Sequence, residues 1–189
     1  MKISILTKDG GAGKTAIAFG LAKDLDYYLI SNDDSVIEKA YEGMAKIMSK
    51  PKIIDNVVYD FGGFVDAGVI DVVKASDLII VPCINDLNSK MKAIKTIQEL
   101  QAYNNNFLVV ATRLEGEKDF LEVKSAIESA FESIPVMPLR KTKLFKNALE
   151  FGQSPLELES ESKQIAYTQR NILREYEALL NYVKECSNG

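Results

Sequence analysis

Residues 3–22 read ISILTKDGGAGKTAIAFGLA, an apolar run, a turn holding Gly10, Gly11 and Gly13, and then apolar residues at helical spacing. Ile3, Ile5 and Leu6 make a buried strand, and Ile17, Leu21 and Ala22 begin the inner face of a helix. A turn this rich in glycine lets successive backbone N–H groups approach an anion without Cβ hindrance, and the helix start behind it adds a dipole and unpaired donors. Lys14 supplies a mobile positive charge at the same point, and Thr15 places a hydroxyl one residue on. The spacing is that of a phosphate cradle formed by Asp9, Gly10, Gly11, Ala12, Gly13, Lys14, Thr15 and Ala16. Lys14 is expected on the β- and γ-phosphates of a nucleotide, and Thr15 on a magnesium ion that bridges them.

The rest of the chain limits what chemistry can accompany the cradle. There is no histidine, and the two cysteines, Cys83 and Cys186, are far apart in sequence, which argues against zinc fingers, His-ligated metals and His bases. Catalysis must then use carboxylates, lysine, water and a hard cation. With 189 residues, 47% hydrophobic and 26% charged, one substantial core is expected over 1–189, the helices from about residue 143 packing on it. The N-terminus enters a strand directly after Met1-Lys2, and no apolar stretch approaches the roughly 18 residues that span a bilayer. A cytoplasmic protein is expected.

Alternation continues to the end of the sheet-forming region. Strands are expected at Ile3 to Thr7, Tyr27 to Ser31, Asn56 to Asp60, Leu78 to Cys83, Phe107 to Thr112 and Ile134 to Met137. Helical patterns fall at Lys14 to Leu25, Ser35 to Met48, Asp66 to Ala75, Asn88 to Tyr103, Lys118 to Phe131, Lys143 to Phe151 and Ser160 to Lys184. Continuous apolar strands such as Leu78-Ile79-Ile80-Val81 indicate a parallel sheet covered on both sides. The predicted fold is α/β: a doubly wound, mostly parallel sheet of six or seven strands in a three-layer α/β/α P-loop NTPase arrangement.

Two acids stand where such a sheet keeps its ligands, at the carboxyl ends of the strands. Val57-Val58-Tyr59 ends in Asp60, a Walker B pattern whose carboxylate is expected to hold the magnesium, and Gly62 and Gly63 follow as a loop able to respond to a γ-phosphate. The second strand ends in Ser31-Asn32-Asp33-Asp34, where Asp33 could order the attacking water. The same residues also make a good turn and helix cap.

The cradle resembles the K-G-G-x-G-K-T variant of the ParA and MinD family of P-loop ATPases, with high specificity only in this segment. Aligned on Gly10 to Thr15, the family's signature lysine falls on Asp9, and Lys8 lies one residue early. That resemblance implies ATP or ADP with Mg2+, a homodimer closed over ATP, and catalysis carried by Lys14 and Asp33. It also implies that Thr112, Arg113 and Pro138 lie near the adenine. Arg140, Lys141, Lys143 and Lys146 match a surface used to hold non-specific DNA, although the net charge of −4 leaves an ordinary solvated helix start equally open. The implied role is partition of plasmid or chromosome cargo near the nucleoid, with slow hydrolysis stimulated by a DNA-bound, ParB-like adaptor. Because Asp9 replaces the signature lysine, a nucleotide-bound scaffold or a positioning ATPase for a protein cargo is the alternative. The C-terminal stripe of Leu173, Tyr176, Leu179, Leu180 and Val183 mixes with glutamates and reads as core, so membrane binding is not expected.

Overall fold

The computed structural model describes residues 1–62 and 67–187. In chain order the elements are β1 (Lys2–Thr7), α1 (Lys14–Leu25), β2 (Tyr28–Ser31), α2 (Ile37–Ala40), β3 (Ala45–Ile47), β4 (Val57–Gly62), α3 (Ala67–Ala75) and β5 (Leu78–Ile84). They continue with α4 (Leu87–Leu100), β6 (Phe107–Leu114), α5 (Glu117–Ala130), β7 (Val136–Arg140), α6 (Leu144–Phe151), α7 (Pro155–Glu161), α8 (Lys163–Thr168) and α9 (Arg170–Ser187). The expected Gly63 of the responsive loop and the expected helix start at Asp66 lie outside the described residues.

The strands form one seven-stranded sheet in the order β3-β2-β4-β1-β5-β6-β7, parallel throughout. Each central strand feeds two cores, because successive side chains leave opposite faces of a sheet. Ile3, Ile5, Val58, Ile80, Leu108 and Val110 pack with α1, α6 and α9 on one side. Tyr59, Phe61, Ile79, Val81 and Val109 pack with α3, α4 and α5 on the other. Burying each large side chain contributes about 1.5–3 kcal/mol, which is why the strands read as unbroken apolar runs rather than alternating ones.

Two expected helices take different forms. Ser35 to Met48 yields only the one-turn α2, capped at Tyr41, and then β3, which pairs with β2 through Leu29 and Ala45. Free backbone groups on the β2 edge capture this segment, a tertiary effect that outweighs local periodicity. The long C-terminal pattern from Ser160 divides into α7, α8 and α9, with the Ser162 hydroxyl accepting from the N–H of Ile165 to start α8. α9 returns to the start of the chain: Tyr176, fully buried, donates its hydroxyl to Asp24 Oδ2 at 2.6 Å near the end of α1. Among the described residues no helix is long and apolar enough to cross a membrane.

Candidate functional site

Parallel pairing brings the carboxyl ends of β1, β2 and β4 to one edge, with Thr7 beside Gly62 and Ser31 beside Asp60. The loop from β1 to α1 lies over this edge. Gly13 caps α1 in the left-handed region, at φ +87°, which favours glycine; it has no side-chain hydrogen bond, and α1 has no acid in its first turn. Among the described residues no side chain caps the first amides of α1, and the helix dipole favours an anion there. Thr112, at the end of β6, donates its buried hydroxyl to Ala12 O at 3.0 Å and ties the loop to the sheet.

Lys14 folds back over the loop and donates to the backbone oxygen of Asp9 at 2.9 Å. Burial pushes its pKa down, opposed by the negative charges of Asp60, Asp9 and Asp33. An ammonium desolvated in this way gains from any further negative charge that enters the loop.

Beneath the loop, Thr15 Oγ1 donates to Asp60 Oδ2 at 2.7 Å, and Ser31 Oγ lies 3.4 Å from the same oxygen. Asp60 is 1% exposed, and its buried Oδ1 has no hydrogen-bond partner among the described residues. Burial pushes its pKa up; the Thr15 hydroxyl, Lys14 and Ser31 oppose that shift, and Asp33 adds to it. An orphaned carboxylate oxygen beside a hydroxyl suits a hard divalent cation, whose other ligands would be phosphate and water oxygens. Among the described residues no cluster of three or more His, Cys, Asp or Glu has metal-binding geometry. The Thr15 hydroxyl and the Asp60 carboxylate have the oxygen chemistry that such a cation takes.

Asp33 is exposed at the end of β2 and leans over Gly62. A Cβ at Gly62 would overlap the Asp33 carboxylate, so this approach requires glycine. Asn32 Oδ1 accepts from the N–H of Gly62 at 2.8 Å, and the N–H of Asp33 donates to Ser31 Oγ at 3.1 Å. The turn after β2 and the end of β4 are thus clamped together, with the Asp33 carboxylate at the same sheet edge as Lys14 and Asp60. Asn32 carries no sequence signal beyond its place in a turn.

On the other side of the loop, a cavity of about 130 Å³ is lined by residues that include Ala12, Ala16, Arg113, Arg140 and Phe145. Arg113 has φ +56° where the β6–β7 register shifts, a bulge that turns its side chain out of the strand. Pro138, implied near the adenine and one residue past the expected strand end, lies inside β7, which among the described residues pairs only with β6 and so tolerates a missing N–H; the following Leu139 and Arg140 reach the cavity. Lys141 and Lys146 also line it, and Lys143 is exposed at the start of α6. Arg140 pairs with Glu175 at 3.1 Å, Lys141 with Glu115 at 2.9 Å and Lys146 with Glu150 at 3.4 Å.

The residues before the glycine turn are held by α4. Lys8 Nζ donates to both oxygens of Glu99, at 2.6 and 2.7 Å, and Asp9 Oδ1 accepts from Lys92 at 3.1 Å. Lys92 was not evident in the sequence, since 83 positions separate it from Asp9.

A central strand, a glycine turn, an uncapped helix and a Thr–Asp pair beneath them define the P-loop NTPase architecture. Within it, the chain has the fold of the MinD and ParA ATPases. Apo McdA from Cyanothece superposes with a TM-score of 0.73 at 16% identity, covering 98% of each chain. MinD from Pyrococcus horikoshii, solved with Mg-ADP, gives 0.70 at 13% identity over 98% of this chain and 96% of its own. A ParA family ATPase from Chlorobium tepidum gives 0.56 at 14% over 85% and 92%. No family model and no curated protein matches the sequence.

Proposed function

We propose that this chain is a Mg-ATP-dependent ATPase switch of the ParA type, which dimerises over ATP and binds non-specific DNA to move plasmid or chromosome cargo. The observation that carries the ATPase part is the Thr15–Asp60 pair, with its orphaned carboxylate oxygen, set below an uncapped helix start. Bound magnesium would supply positive charge that offsets the charge on the phosphates. Lys14 releases the Asp9 carbonyl and turns to the β- and γ-phosphates, while the amides of α1 hold the anion in place. Asp33 accepts a hydrogen bond from the attacking water and orients it, and its proton moves late in a loose transition state. Thr112 fixes Ala12, and Arg113 with its neighbours receives the nucleoside.

For DNA, Arg140, Lys141, Lys143 and Lys146 are the candidate contacts. Exposed pairs such as Lys141–Glu115 contribute only about 0.2–1 kcal/mol, so a phosphate backbone displaces the acids at small cost. The same pairings, with the net charge of −4, favour a second assignment, a positioning ATPase or scaffold for a protein cargo.

Two measurements test this. Lys14→Ala should weaken ATP binding by on the order of 100-fold, and an unchanged titration would remove the cradle from the mechanism. Binding of the chain to a random duplex, with Mg-ATP, Mg-ADP or no nucleotide at two salt concentrations, tests the DNA part. Salt-sensitive binding only with ATP supports partition, and no binding in any state favours the protein cargo.

A further inference from the structure

Two ammonium groups meet at one residue of the phosphate loop. Lys14 donates to the backbone oxygen of Asp9 at 2.9 Å, and Lys92 donates to its carboxylate at 3.1 Å. Asp9 is only 13% exposed in its side chain, whereas Lys92 is 43% exposed. The acid is thus fixed in the loop and the lysine keeps room to move.

An acid at this place is an electrostatic problem. The loop is shaped to gather anions, and a carboxylate beside a phosphate repels it by about 1 kcal/mol in water and several times more where solvent is excluded. Lys92 cancels the Asp9 charge. Its helix is anchored independently: Asp86 caps the start of α4 by accepting from the N–H of Ser89 at 2.9 Å, and seven residues beyond Lys92, on the same face, Glu99 holds Lys8. α4 therefore presents a cation to the loop from outside the local sequence.

We propose that Lys92 is a second phosphate-site cation, stored on Asp9 in the nucleotide-free chain and shared with the terminal phosphate when ATP enters. This rests on the nucleotide-binding function proposed above. It gives Asp9 a purpose, since the acid keeps a flexible lysine at the mouth of the site. It also makes the two partners unequal: without Lys92 the loop holds an uncompensated negative charge, and without the Asp9 charge Lys92 is released toward the phosphates.

That inequality supplies the test. Magnesium with N-methylanthraniloyl-ATP and with the corresponding ADP analogue is titrated into the wild-type chain and the variants Lys92→Met, Lys92→Arg and Asp9→Asn, with thermal melts confirming that each folds. Lys92→Met should weaken the ATP analogue by roughly tenfold and the ADP analogue less; Lys92→Arg should recover most of the loss. Asp9→Asn should bind the ATP analogue more tightly than wild type, because it removes a negative charge from the loop and frees Lys92. Equal losses in Lys92→Met and Asp9→Asn would overturn the assignment, because the pair would then be a loop tether, and no loss in Lys92→Met would overturn it as a bystander surface pair. Absence of binding by the wild-type chain would instead overturn nucleotide binding itself, and this inference with it.

Discussion

Thr15 and Asp60, 45 positions apart, share a hydrogen bond of 2.7 Å that leaves the other Asp60 oxygen buried and unpaired. Burial raises the Asp60 pKa, so protonation is easier in the folded chain than in the unfolded one. The sign follows: Asp60 contributes stability at pH values below its unfolded pKa, and that contribution is lost as pH rises through the raised folded pKa. Above that raised pKa the ligand-free fold carries a charge it would be more stable without. Asp60→Asn should raise the Tm of the ligand-free chain at pH 7, by about 2–4 °C for a gain of ~1 kcal/mol, and the gain should shrink in acid. The same variant should lose the magnesium dependence of ATP binding. Melts at several pH values and titrations with and without magnesium check both parts; a Tm that falls at pH 7 would count against the charge account.

Gly62→Ala tests the approach of Asp33. Its new Cβ would overlap the Asp33 side chain, so the turn after β2 must move. A loss of about 1–3 kcal/mol in stability is expected, with ATP still bound and turnover reduced as far as in Asp33→Ala. Single-turnover hydrolysis compared with equilibrium binding separates the two effects, and normal hydrolysis in either variant would assign the water to another group.

Arg113 sits in a left-handed conformation that costs a non-glycine residue about 1–2 kcal/mol. Arg113→Gly should keep or raise the Tm while weakening nucleotide binding, and Arg113→Ala should weaken binding to the same extent without the thermal gain. Equal melting of the two variants would show that the bulge is not strained.

Lys141 and Lys146 are weakly paired and exposed. If both contact DNA phosphates in the ATP state, Lys141→Ala with Lys146→Ala should lower the slope of log K against log salt by about 1.8. Fluorescence anisotropy with a random duplex over a salt series measures it, and an unchanged slope would place the DNA elsewhere or nowhere.

The sequence disclosed local features well. The span of α1 follows from Lys14 to Leu25, and the ends of β1 and β2 follow from apolar runs that stop at Thr7 and Ser31, whereas β4 continues past the expected end at Asp60 to Gly62. What stayed hidden depends on distant partners. Residues 45–47 become a strand because the β2 edge is open, and Lys92 reaches Asp9 only because α4 packs beside the loop. The expected last strand stops at Met137, one residue before Pro138, yet an edge strand accommodates the proline. Periodicity records what a segment buries and says little about which neighbour supplies the surface.

The hydrogen bond from Tyr176 to Asp24 gives α1 a second fixed point, at the end opposite the phosphate loop. Gly20, midway along the helix, would with any larger side chain crowd Tyr176 and Pro155, so the rod is also wedged against α7 and α9 along its length. A rod seated at both ends transmits a tilt as a lever does. The last helix thus braces the same rod that begins at the first loop, and trimming the C-terminus is expected to loosen the socket that the opening residues build.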